Sequence, residues 1–370
     1  MIYFDNAATS GKKPQSVINA VNFSLKYLSA NPGRSGHKAS QTAALQIYNT
    51  RQKLSDFFES DGPETVVFTC NCTTSINMVL KGVLNKGDHV IVSDLEHNAV
   101  MRPLCSMGVE YTTAEVSLDD DYITVENFKK AIKNNTKMIF CTAASNVLGK
   151  VLPIKEIGEL CKQKGILFGV DAAQAAGVIP ISMNKMNIDY LCFAPHKGLY
   201  SPMGIGVLIA RGPIYHTLIE GGTGTNSIDF YQPDNLPERL ESGTLNLPAI
   251  VSLKSGIDFL NNKINCIYNH ENTLVKRFYD NLQNDKVIFY TNPHKKGYVP
   301  VISFNLKDYN SEQTAEVLNK SGFALRAGLH CAPLAHKKIG TLNCGTVRFS
   351  PSYFNYNDEV QMLVNKIKKI

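Results

Sequence analysis

Gly165-Ile-Leu-Phe-Gly-Val-Asp-Ala-Ala-Gln174 is an apolar run that ends in an acid followed by small residues. A run apolar on both faces is what a strand needs when helices cover its sheet on each side. The next such run, Leu191-Cys-Phe-Ala194, leads into Pro195-His196-Lys197-Gly198. In an open parallel sheet, ligands bind beyond the carboxyl ends of the strands. Asp171 and Lys197 are therefore expected to face one cavity from neighbouring strands.

The same pattern extends in both directions. Thr65 to Thr69, His89 to Ser93, Lys137 to Thr142, Tyr190 to Ala194 and Gly206 to Ala210 are β-rich runs separated by helix-like stretches. Such alternation predicts βαβ units, hence an α/β fold with a mostly parallel interior sheet. Beyond Arg211, the residues Gly221, Gly222, Gly224, Pro233 and Pro237 mark a long irregular stretch, expected to border a site or a subunit interface. A helix-like pattern follows Leu247. The strands Val299 to Phe304 and Val347 to Ser350 and a helix from about Asn357 then predict a smaller α+β domain. The expected division is a large domain over 1–250, its first ~20 residues packing on the small one, and a small domain over 251–370.

Composition narrows the setting. The chain has 370 residues, more than one hydrophobic core usually serves, and is 44% hydrophobic and 19% charged, so an ordered soluble protein is expected. Lys and Arg exceed Asp and Glu by 6, but the excess is spread along the chain, apart from Lys366, Lys368 and Lys369 at a helix end, so no nucleic-acid partner is expected. Nine cysteines, an odd number without framework spacing, suit a reducing cytoplasm. No apolar run approaches the roughly 20 residues that cross a bilayer, and the N-terminus carries no charged-then-apolar signal. Neither export nor a membrane partner is expected.

The chemistry-bearing residues follow the apolar runs. A pyridoxal 5′-phosphate (PLP) enzyme needs a lysine to carry the cofactor and an acid at the ring nitrogen, because the protonated ring is the electron sink. Lys197 and Asp171 fit those roles, although taken singly they read as a loop lysine and a helix cap. Phosphate binding calls for N–H groups and hydroxyls at a helix start. Cys72-Thr73-Thr74-Ser75, between a strand and the helix-like Ile76 to Leu84, offers Thr73 and Thr74. Glu96-His97 follows another strand and places an imidazole where it can stack on a flat cofactor and move protons. Cys70 and Cys72 have no second Cys/His pair at zinc spacing, so no metal is expected.

Asp5-Asn-Ala-Ala-Thr9, Glu96-His97, Ser145-Asn-Val-Leu-Gly149, Asp171-Ala-Ala-Gln174 and His196-Lys197 resemble, in order, the signatures of class V PLP enzymes. Leu325-Arg-Ala-Gly-Leu-His-Cys-Ala332 and Gly345-Thr-Val-Arg348 resemble the active-cysteine and carboxylate-binding segments of group II cysteine desulfurases and selenocysteine lyases. The resemblance, over residues 5 to about 355, implies a PLP fold-type I homodimer with a seven-stranded-type sheet. In it Lys197 would hold PLP, Asp171 pair with the ring nitrogen, His97 stack on the ring, and Gln174 and Asn146 contact its substituents. Thr74 and His196 would hold phosphate, with Thr244 of Glu241-Ser-Gly-Thr244 serving the other subunit's site. Arg348 and Arg326 would bind the substrate carboxylate, a task suited to bidentate donors. Two positions depart from the family pattern: Ala194, followed by Pro195, stands where a phosphate-binding serine is usual, and Cys72 replaces a glycine.

Cys331 lies beside Arg326 and His330, where positive charge favours the nucleophilic thiolate. The implied reaction converts L-cysteine to L-alanine and leaves a persulfide on Cys331, its sulfur passing to an acceptor protein or small thiol. L-selenocysteine would engage the same residues. The alternatives are another class V aminotransferase or lyase in which Cys331 is incidental, and a PLP-binding scaffold without activity.

Overall fold

The structure, a computed structural model, describes residues 1–33 and 35–370. The chain opens with β1 (Ile2–Tyr3), α1 (Gln15–Tyr27) and α2 (Lys38–Phe58). The central region follows as β2 (Val66–Thr69), α3 (Cys72–Val83), β3 (His89–Ser93), α4 (Asn98–Met107), β4 (Glu110–Ala114), α5 (Asp121–Lys130), β5 (Thr136–Thr142), α6 (Ile154–Lys164), β6 (Leu167–Asp171), β7 (Tyr190–Phe193) and β8 (Gly206–Ala210). These seven strands form one sheet in the order β2-β8-β7-β6-β5-β3-β4, in which only β8 runs against its neighbours. The α/β fold read from the alternating runs is the fold observed.

The apolar runs became strands because burial on both faces suits them: every residue of β3, β7 and β8 is buried. β4, Glu110-Tyr-Thr-Thr-Ala114, has no apolar run because it is an edge strand with three exposed residues, and it was not among the expected strands. α3 begins at Cys72, earlier than the apolar pattern from Ile76 suggests, since the Asn71 side chain caps its first turn.

No helix or strand forms among the residues between β8 and α7 (Leu247–Leu260). The remainder comprises α8 (Ile264–Asn281), β9 (Val287–Phe289), β10 (Ile302–Leu306), α9 (Ser311–Lys320), β11 (Phe323–Ala324), β12 (Arg326–Gly328), α10 (Pro333–Lys338), β13 (Thr346–Phe349) and α11 (Asn357–Ile367). The antiparallel sheet β12-β13-β10-β9 packs on a second core that includes Phe278, Phe304, Phe349 and Leu363. β1 pairs in parallel with β11, so the N-terminus joins this smaller unit. α7, which spans the expected division at residues 250 and 251, packs on α1 and α2 and shares its core with the central sheet through Leu253, Ile257 and Leu260.

Candidate active site

The carboxyl ends of β3, β5, β6 and β7 open into one cavity. Asn71, Cys72, Thr73, His97, Asn146, Asp171, Gln174, His196 and Lys197 contribute to its lining. Register brings the lysine and acid strands together, because Asp171 pairs with Cys192 across β6 and β7, and Lys197 follows by a tight turn in which its N–H bonds Ala194 O at 3.2 Å. Asp171 is 3% exposed. Its Oδ1 accepts from Ala173 N at 2.9 Å and from Cys72 Sγ at 3.8 Å. Burial holds the Lys197 ammonium below the usual lysine range, against the opposing pull of Asp171. A lysine so placed yields its proton readily and is suited to carry a carbonyl compound.

At the phosphate end expected from the sequence, Asn71 Oδ1 accepts from both Thr74 N and Thr74 Oγ1, at 2.9 and 3.1 Å. Thr73 and Asn71 thus border the cavity, while Thr74 supports the cap. The Ala194 side chain also lines the cavity and brings no hydroxyl. His196 Nδ1 bonds Thr9 Oγ1 at 3.0 Å, and burial, with the Lys197 and Lys13 charges, pushes its pKa down to about 4. His196 is therefore neutral at pH 7. Its carbonyl is held by Thr9 Oγ1, Ser10 Oγ and N, and Lys13 Nζ, so the N-terminal segment clamps the peptide that precedes Lys197.

His97 caps α4, accepting Ala99 N at Nδ1 (3.0 Å), which leaves the proton of the neutral ring on Nε2. Burial lowers its pKa. Next to it in sequence, Glu96 Oε1 accepts from Thr142 N at 2.9 Å and from the Ser93 hydroxyl, while Oε2 is buried without a partner among the described residues. Burial pushes this carboxyl up to about 8. Gln174 Nε2 reaches back to Ala7 O at 2.9 Å.

The Cys331 loop is seated against the large sheet by two bonds. Asn146 Nδ2 donates to His330 O at 2.7 Å, and Asn98 N donates to Cys331 O at 2.7 Å. His330 and Cys331 both have positive φ, 48° and 58°, an arrangement that costs side-chain-bearing residues energy and persists where the surroundings enforce it. Cys331 is exposed, and Arg326 Nη2 lies 3.8 Å from its sulfur. Arg326 and Arg348 face each other in register on β12 and β13. Arg348 is 1% exposed, with Nη2 on Asp5 Oδ1 at 2.6 Å, Nη1 on Asn146 O at 3.1 Å, and Nε without a partner among the described residues.

Thr244 stands apart, on a separate groove with Asn31, Arg51 and Glu241. Asn71 and Lys13 were not among the residues expected at the site, and Asp5 was expected only as part of the Asp5–Thr9 motif. Asn71 had a signal, an Asn directly before a helix start. The bonds of Lys13 and Asp5 join segments remote in sequence and had none.

The residues present fit PLP. An enclosed carboxylate with one oxygen left over, an enclosed lysine of lowered pKa and a capped helix start meet in one cavity, which is the donor set for a ring nitrogen, an aldehyde and a phosphate. These features suit a PLP enzyme with its site at the carboxyl ends of the strands of an α/β sheet. The chain matches the family model for class-V aminotransferases over residues 2–363 and belongs to that family. Within it, the chain is similar to cysteine desulfurases. A probable cysteine desulfurase of Pyrococcus abyssi is 31% identical over 384 residues, spanning 100% of this chain and 94% of that one. One from Methanothermobacter thermautotrophicus is 29% identical with the same coverage. The apo structure of a cysteine desulfurase from Thermococcus onnurineus superimposes with a TM-score of 0.90 at 31% identity, covering 100% of this chain and 94% of that chain. The Escherichia coli cysteine desulfurase CsdA, in an S-sulfonic acid form, gives 0.87 at 25% identity, over 99% and 94%.

Proposed function

We propose that the chain is a PLP-dependent cysteine desulfurase that converts L-cysteine to L-alanine and holds the sulfur on Cys331 as a persulfide. The seating of the Cys331 loop carries this reading: Asn98 and Asn146, which bond Cys331 O and His330 O, belong to the elements that carry His97 and the cavity wall. A thiol incidental to the chemistry has no need of a strained loop tied to the elements that line the cavity.

Lys197, Asp171, Gln174, Asn146, His97, Thr73, Thr74 and His196 would hold the cofactor, which when bound supplies the electron sink that makes the substrate Cα–H acidic. Lys197 Nζ, enclosed and readily deprotonated, takes the α-proton. Arg348 and Arg326 offer guanidinium groups to the substrate carboxylate. The Cys331 thiolate attacks the substrate sulfur, so an S–S bond forms as the C–S bond breaks. The carbon fragment keeps the electron pair and, after protonation, leaves as alanine.

Ile228, Phe230 and Tyr231 are almost fully exposed in the irregular stretch that also carries Thr244. Apolar exposure of this kind marks an interaction surface. We place it at a homodimer interface, with Thr244 reaching the other subunit's phosphate site. All nine cysteines are free, and no helix among the described residues is long and apolar enough to cross a membrane. A reducing cytoplasm, with an acceptor protein or small thiol receiving the sulfur, suits these features.

The test is alanine release from L-cysteine under reducing conditions by the PLP-loaded chain. Loss of release in both Cys331→Ala and Lys197→Ala is the expected result. Full activity in Cys331→Ala, or a parent that makes no alanine, would turn the assignment to another class-V reaction.

A further inference from the structure

Cys72 is the first residue of α3, and the Asn71 cap sets where its side chain stands. It is buried, borders the cavity, and has its thiol 3.8 Å from Asp171 Oδ1. That oxygen also takes Ala173 N at 2.9 Å. Asp171 Oδ2 accepts no hydrogen bond among the described residues, although the carboxylate is 3% exposed. One oxygen is thus pinned from two sides, by backbone and by thiol, and the other is left for a cationic ligand. Burial and the Asp171 charge push the Cys72 thiol up, so it keeps its proton and acts as a donor.

We propose that Cys72 is a positioning residue whose S–H pins Asp171 Oδ1 and so turns Oδ2 toward the protonated ring nitrogen of PLP. The torsion that swings a carboxylate is broad and two-fold, so a single backbone bond does not decide which oxygen faces the cavity. A second donor, on a rigid helix start, does. The inference rests on the PLP reading above and assigns Cys72 no contact with the substrate.

PLP uptake by the apoprotein and the pH midpoint of the bound cofactor's absorption test it in Cys72→Ala, Cys72→Val and Cys72→Ser. Val fills the site, with one methyl group more than the thiol, and loses the donor, Ala loses it without added bulk, and Ser keeps a donor. Ala and Val are expected to weaken PLP binding about 3- to 10-fold, the range of one ordinary hydrogen bond, since a thiol is a weak donor, and to move the absorption midpoint. Ser is expected to stay within about 2-fold of the parent. Parent-like binding in Ala or Val overturns the inference, as does a Ser variant that falls with them, which would make the role one of packing. A parent that takes up no PLP sinks the cofactor assignment and this inference together. A parent that binds PLP, with Val unchanged, sinks this inference alone.

Discussion

Arg348 Nη2 and Asp5 Oδ1 lie 2.6 Å apart, and the ion pair joins the start of the chain to β13. Burial lowers the Arg348 pKa against the pull of Asp5, so the guanidinium depends on its partner. Removing one member of a buried pair leaves an uncompensated charge, which costs about 3–5 kcal/mol. Asp5→Ala is expected to lose stability in that range by denaturant unfolding and to raise the KM for L-cysteine more than it lowers kcat. Unchanged stability would show that the pair is not formed.

Glu96 and Glu271 are buried carboxyls, each pushed up to about 8 chiefly by burial. From the ordinary glutamate value up to about 8, the folded chain keeps protons that the unfolded chain releases. Stability is therefore full below that window and falls as pH rises through it, by about 1.4 kcal/mol per pH unit per group. Buried histidines such as His196, lowered to about 4, take up protons only in the unfolded chain and oppose this fall below about pH 6.5, so unfolding measured at about pH 7 and pH 8 should show it, and Glu96→Gln should reduce it. A parent whose stability rises over this interval would contradict the assignment.

Gly198, next to Lys197, has no room for a side chain, since an added Cβ would stand 2.4 Å from Ala176 O. Gly198→Ala must move the backbone that carries Lys197. It is expected to cost about 1–3 kcal/mol of stability and to lower PLP occupancy. Parent-like melting and occupancy would show that the turn yields more easily than its packing implies.

Asn71→Ala should destabilise the chain by about 1 kcal/mol through loss of the α3 cap. Asn71→Asp preserves the cap but places a negative charge where phosphate is expected. It should melt like the parent while binding PLP more weakly, and the defect should shrink as salt rises. Equal PLP affinity in parent and Asn71→Asp would place the phosphate elsewhere.

The central strands were legible because they are interior. His89–Ser93 and Gly206–Ala210 are apolar on both faces, and their bounds read from the sequence are those observed. β4 was not legible, because a half-exposed edge strand carries no apolar run. Lys197 and Asp171 could be singled out because each lies just beyond a buried run, a local signal, and both line one cavity. Nothing local in Cys72, Asp5 or Lys13 announces a partner at Asp171, Arg348 or the His196 carbonyl.

By itself, the sequence determined the α/β class, the strand ends at which chemistry would lie, and the motifs that resemble class V enzymes. These depend on hydrophobic periodicity and residue type, which are written along the chain. Only the tertiary structure decided that Arg348 is tied to Asp5, that Thr244 stands on a separate groove, and that a thiol pins Asp171. Those are contacts between segments far apart in sequence, and their geometry exists only once the strands have taken their register and the core has closed around them.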